Sequence, residues 1–300
     1  MKKKLILGLV AGLSLVTLAA CSSTSTSDGS GSSASSSSKA LSGKVIAGGS
    51  TALQPLAQQA AEEFMADNPK VQLTVQGGGS GVGLTQVAAG TFQIGNSDIF
   101  AEEKTGLDTS ALTDYKVAVV GIAPIINADN SVSNLTQDQL IDIFTGKVTN
   151  WKDVGGKDLE ITVIGRTEGS GTRVNFDKFA LKNREEVAGP TQDATGAVVT
   201  MVGQTPGAIS YVALSYISTS DTIKAVKLDG VEATNENVES NDWKVWAYEH
   251  MYTNTKKETD ADKAFIDYVA SDTADIEKLG YIAVSDMKVD RDAEGTVTNK

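Results

Sequence analysis

In 300 residues the chain has one cysteine, Cys21, and one histidine, His250. A single cysteine excludes an intramolecular disulfide and a cysteine-based zinc site. A single histidine excludes a His-rich metal centre and leaves little room for a Ser-His-Asp triad. Basic residues are also scarce, 26 Lys and Arg against 38 Asp and Glu, for a formal net charge of −12. A surface of that sign does not suit a phosphate backbone, so nucleic acid is not expected as a partner. The common glycine-rich signatures are missing too. Gly43-Lys44, Gly146-Lys147 and Gly156-Lys157 run into Val45, Val148 and Asp158 rather than Ser or Thr, so there is no P-loop. Neither Ser80 nor Ser170 has glycine two residues away on both sides, so there is no nucleophile elbow.

What is present begins with a processing signal. Lys2, Lys3 and Lys4 precede an apolar run from Leu5 to Ala20, shorter than the roughly 20 residues of a membrane span. It ends in Leu18-Ala19-Ala20-Cys21, which resembles a bacterial lipobox, so residues 1–20 are expected to be a lipoprotein signal peptide and Cys21 the lipid-bearing first residue. Residues 21–43 are mostly Ser, Thr and Gly. That composition cannot bury a core and is expected to act as a flexible tether with a reach of roughly 25 Å.

From Lys44 strand and helix signals alternate. "KVIAGGST" reads as a strand leading into a helix whose apolar positions Leu53, Leu56, Ala57, Ala60, Ala61, Phe64 and Met65 keep helical spacing. Ser50 or Thr51 suits its N-cap. "VQLTVQ" alternates as a strand and runs through a Gly-rich turn into a second helix, with Gly90 as its stop. "FQIGNSD" is a third strand, with Asp98 at its end. "YKVAVVGIAPIIN" reads as a strand buried on both faces. The pattern predicts an α/β chain of mostly parallel sheets with helices on both faces. In such sheets ligands bind beyond the carboxyl ends of strands, where helices begin.

Three polar clusters fall at that junction: Ser50-Thr51, Ser80-Gly81 and Ser170-Gly171-Thr172. A helix start offers unpaired N–H groups and the positive end of a dipole, and small residues let an anion come close. With Arg166 added, these starts would hold one compact oxyanion. Asp98, an acceptor only, could take the proton that phosphate keeps at neutral pH and sulfate lacks. Acid–base catalysis would need a second positioned titratable group, so an enzyme is not expected, nor is a metal or cofactor.

Six motifs in order, "AGGSTALQPL", "GGGSGVGL", "IGNSD", "LIDIFTGKVTNWKDVGG", "GRTEGSGT" and "GAISYV", resemble the phosphate-binding lipoproteins of bacterial phosphate-specific ABC importers. The resemblance implies two mostly parallel-sheet domains joined by a two-strand hinge, with the ligand cleft between them. Domain I would comprise residues 44–118 and 251–300, and domain II residues 119–250, with "VAVVGIAPI" and "KVWAYEHMY" as the crossovers. It implies phosphate contacts from Ser50, Thr51, Ala52 (through its backbone N–H), Ser80, Asp98, Arg166, Ser170, Gly171 and Thr172, and a Glu168 that orients Arg166. It further implies a monomer, lipid-anchored on the extracellular face of the membrane, that passes inorganic phosphate to permease subunits. Another tetrahedral oxyanion such as sulfate or molybdate, or an adhesion or sensing role on the same fold, stays open at this point.

Overall fold

The computed structural model describes residues 40–300; the signal peptide, Cys21 and most of the tether lie outside the described residues. The first part is a run of strand–helix pairs: β1 (Gly43–Gly49), α1 (Gln54–Asp67), β2 (Val71–Gln76), α2 (Ser80–Ala89) and β3 (Ile94–Ser97). The three strands are parallel, in the order β2-β1-β3. Parallel neighbours need a long crossover, which each helix supplies. Pro55 sits in the first turn of α1, where a missing N–H costs nothing. Gly90 ends α2 in the left-handed conformation expected of it.

β4 (Leu112–Asn127) is 16 residues long and buried from Val117 onward. After it come β5 (Asn134–Leu135), α3 (Gln137–Phe144), β6 (Thr162–Val163), β7 (Gly165–Arg166), α4 (Gly171–Phe179), β8 (Thr191–Gln192) and α5 (Thr195–Gln204). These are followed by β9 (Ala208–Ala213), β10 (Ile223–Ala225), β11 (Lys227–Leu228) and α6 (Asn235–Glu239). β12 (Trp246–Asn254) then returns antiparallel to β4. Helices α7 (Asp260–Ser271) and α8 (Thr273–Lys278) and the hairpin of β13 (Val289–Arg291) and β14 (Val297–Asn299) close the chain. Among the described residues no helix is long and apolar enough to cross a membrane.

The main sheet runs β2-β1-β3-β12-β4-β9-β6, with β10 also on β4. The α/β class is the one expected. Its outer pairs, β2-β1-β3 and β9-β6, are parallel, while the pairs in the middle are antiparallel. Two strands that cross the molecule in opposite directions can join in no other way. β4 pairs with β12 up to Gly121 and with β9 and β10 from Ile122 on. One strand therefore belongs to both halves of the sheet.

Alternation along β4 sends its side chains to different cores. Val117, Ala118 and Val120 pack with Leu56, Phe64, Ile94 and Phe265, where Phe64 and Phe265 meet edge to face at 5.5 Å. Val119, Ile122 and Ile126 pack with Phe144, Trp151, Phe176, Tyr211 and Trp246, with Phe176 and Tyr211 stacked at 4.0 Å. Burying apolar area at about 25 cal/mol per Å² is the main stabilising term for both. The chain's end joins the second core: Met287 and Val289 lie there, and the Arg291 guanidinium covers the Trp246 ring at 3.7 Å.

Candidate anion site where three helix starts meet

The ends of β1, β3 and β7 and the starts of α2, α4 and α5 converge. At the end of β1 the chain turns at Gly49, whose φ of 132° suits glycine, and a Cβ there would stand 2.2 Å from the Asn96 carbonyl oxygen. Ser50 N donates to the same carbonyl at 2.9 Å, so the ends of β1 and β3 lie side by side. Ser50 Oγ accepts from Ala52 N and Leu53 N, both at 3.0 Å. It thus closes the turn before α1, which begins at Gln54, instead of capping a helix that starts beside it. The Ala52 N–H, expected to face a ligand, is engaged inside this turn.

Ser80 and Asp98 are locked together, since Ser80 Oγ accepts from Asp98 N at 2.9 Å. Asp98 is in turn clasped from the other half of the sheet. Thr172 Oγ1 donates to Asp98 Oδ2 at 2.8 Å, and Asn175 Nδ2 donates to the Asp98 carbonyl at 2.7 Å. Gly81 N donates to the Gly169 carbonyl at 2.9 Å. Ser170 caps α4 by accepting from Arg173 N. A Cβ on Gly171 would fall 2.2 Å from Ser80 Oγ, so only glycine lets the starts of α2 and α4 come together.

Arg166 is fully buried. Its Nε donates to the Gln192 carbonyl at 3.2 Å, and its Nη2 donates to the Asp193 carbonyl at 3.0 Å and, more weakly, to Thr51 Oγ1 at 3.4 Å. Glu168, expected to orient it, is solvent-exposed. Two main-chain carbonyls hold the guanidinium instead, because the chain leaving β8, the strand paired with β7, passes beside it. Burial draws the guanidinium below its usual range, and the nearby Tyr211 and Asp98 oppose that pull.

The sequence reading missed Thr195, which starts α5. It is fully buried, its hydroxyl lies 2.9 Å from Thr51 Oγ1, and its N–H donates to that oxygen at 3.2 Å. The signal was there to find in "DATGAVV", another small polar residue followed by glycine and an apolar run. Tyr216 was missed as well. Its hydroxyl donates to the Thr51 carbonyl at 2.7 Å. Burial, then the nearby Glu249, push its pKa up to about 12, so it stays a donor at neutral pH.

The chemistry of the cluster follows from what its atoms leave unpaired. Arg166 Nη1 and Asp98 Oδ1 are buried and have no protein partner. Unpaired buried groups of this kind cost free energy and call for an explanation. One is a charged donor and the other an acceptor, and helix N-termini and hydroxyls surround them. Such an arrangement suits an oxyanion that still carries a hydrogen. His250 has no part in it, since its Nδ1 pairs with Asp114 Oδ1 at 2.7 Å.

The chain is similar to proteins described as phosphate binders. Residues 33–273 match the PBP superfamily domain. The chain is 46% identical over 299 residues, 98% of each chain, to the phosphate-binding protein PstS of Bacillus subtilis strain 168. A Clostridium perfringens protein described as a phosphate ABC transporter substrate-binding protein, solved with bound phosphate, superposes with a TM-score of 0.75. It is 34% identical, and the match covers 81% of this chain and all of that one. An ABC-type phosphate transport receptor from Vibrio cholerae superposes with a TM-score of 0.63 at 26% identity, covering 79% of this chain and 99% of that one.

Proposed function

The chain belongs to the PBP superfamily and to the PstS family of phosphate-binding proteins, and on that premise we propose that it captures inorganic phosphate outside the cytoplasm and hands it to the permease of an ABC importer. It is a binding protein and not an enzyme. The observation that carries the reading is the pair of buried, unpartnered atoms of opposite character, Arg166 Nη1 and Asp98 Oδ1. Arg166 supplies the charge-assisted hydrogen bond, and Asp98 takes the hydrogen that phosphate retains. Thr51, Ser80, Ser170, Gly171 and Thr172 complete the ring with hydroxyls and main-chain N–H groups. Ser50 and Ala52 act on the ligand through the turn they shape. The acidity of the chain is no obstacle, because local dipoles and hydrogen bonds select the anion.

The two halves of the sheet are read as the lobes of a hinged trap. β4 and β12 form the hinge, and Asp98–Thr172 and Gly81–Gly169 are the contacts that close it. Titrating the full chain with phosphate, sulfate and molybdate by calorimetry tests the function. Tight binding of phosphate alone is expected, whereas equal binding of sulfate, or heat from none of the three, would refute it.

Cys21 is read as the lipid anchor of a monomer held on the extracellular face. Cys21→Ala should release the protein to the medium or leave unprocessed precursor. Mature protein that stays in the membrane fraction would refute the anchor.

A further inference from the structure

Glu249 is an acid in the middle of β12, a strand otherwise apolar and aromatic through "WAYEHMY". It is fully buried, and neither carboxyl oxygen has a well-formed hydrogen bond. β12 pairs with β3 so that His250 lies opposite Ser97, which sets Glu249 opposite Asp98 on one face of the sheet. Asp98 is the charged group that acts on the Glu249 carboxyl, and Asp98 Oδ1 is left without a partner. Tyr216 and Tyr281 also face Glu249, and both donate their hydroxyls elsewhere, to the Thr51 and Ala52 carbonyls. On β4 its partner is Ala118, which carries no charge. His250, the next residue, is engaged with Asp114. Arg166 and Glu249 both act on Tyr216, in opposite senses. Glu249 thus faces one carboxylate, two tyrosines and no adjacent base.

We infer that Glu249 is a positioning residue of the anion site, which stays protonated and gives its hydrogen to Asp98, so that the two carboxyls present a single negative charge to the ligand. The inference rests on the anion reading of the site. Two ionised carboxylates in a dry cleft would repel each other and any anion, whereas an acid–carboxylate pair shares one proton. A second lone pair on Asp98 Oδ1 remains free for the hydrogen of the ligand. Burial, and after it the charge of Asp98, hold the Glu249 carboxyl well above the usual carboxylate range. In the unfolded chain an ordinary glutamate loses its proton above about pH 4.3, so folding must return that proton at a cost that rises with pH.

Two variants of the full chain test this. Glu249→Gln stays neutral and can still donate; Glu249→Leu is neutral and cannot. Infrared spectroscopy of the wild type at pH 7 should show the carbonyl band of a buried protonated carboxyl, shifted in D2O and absent in Glu249→Gln. Glu249→Gln should bind inorganic phosphate within about threefold of wild type, and its melting temperature should gain on the wild type between pH 5 and pH 8. Glu249→Leu should lose about tenfold in phosphate affinity, the worth of one hydrogen bond. An unchanged infrared band in Glu249→Gln, a melting difference that does not vary with pH, or wild-type phosphate affinity in Glu249→Leu would each overturn the inference. The infrared and melting measurements need no ligand. They judge Glu249 even if the wild type fails to bind phosphate, a failure that would count against the function alone.

Discussion

Asp98→Asn should lower the ratio of sulfate to phosphate dissociation constants by about a hundredfold or more. In the wild type the carboxylate accepts the hydrogen of phosphate and faces sulfate with a like charge, a mismatch that costs several kcal/mol. The structure also fixes how the amide would sit. Thr172 Oγ1 donates to Asp98 Oδ2, so the asparagine oxygen takes that place. Its NH2 then occupies the position of Oδ1, where it can donate to the ligand and to the Glu249 carboxyl instead of accepting from them. An acceptor becomes a donor where the anion lies, and sulfate gains what phosphate loses. Calorimetry of both ions at one pH gives the ratio. If wild type and variant share the same ratio, Asp98 is not the discriminating group.

Arg166→Ala should weaken phosphate binding by one to two decades, since a charge-assisted hydrogen bond contributes about 1.5–3 kcal/mol. Arg166→Lys should recover only part of the loss. The guanidinium is placed by two carbonyls, those of Gln192 and Asp193. A lysine has one nitrogen to serve those two and the ligand together. Wild-type affinity in Arg166→Ala, measured by the same titration, would remove the buried cation from the site.

Much of this cluster is legible in the sequence. The clusters at Ser50-Thr51, Ser80-Gly81 and Ser170-Gly171-Thr172, with Asp98 and Arg166, follow from local rules: a strand ends, small polar residues follow, and an amphipathic helix begins. The same rules applied to "DATG" would have found Thr195. The role that the resemblance implied for Glu168 is taken by the Gln192 and Asp193 carbonyls, and Glu168 itself is solvent-exposed. The local rules fail for Ser50 as a helix cap, and the resemblance for the Ala52 N–H, because the hydrogen bond between them inside the turn depends on φ and ψ.

By itself the sequence determined the α/β alternation, the carboxyl-end location of the polar clusters and the family resemblance, because each depends on residues within one or two turns of one another. Tertiary structure alone decided that Thr172 would donate to Asp98 across 74 positions and Thr51 meet Thr195 across 144. The same holds for Glu249 opposite Asp98, for the alternate side chains of β4 entering different cores, and for the antiparallel middle of the sheet. The physical reason is that such contacts depend on which strand ends are brought side by side. Strand order and register are settled by the packing of whole faces, and hydrophobic periodicity along the chain carries no record of which face will meet which.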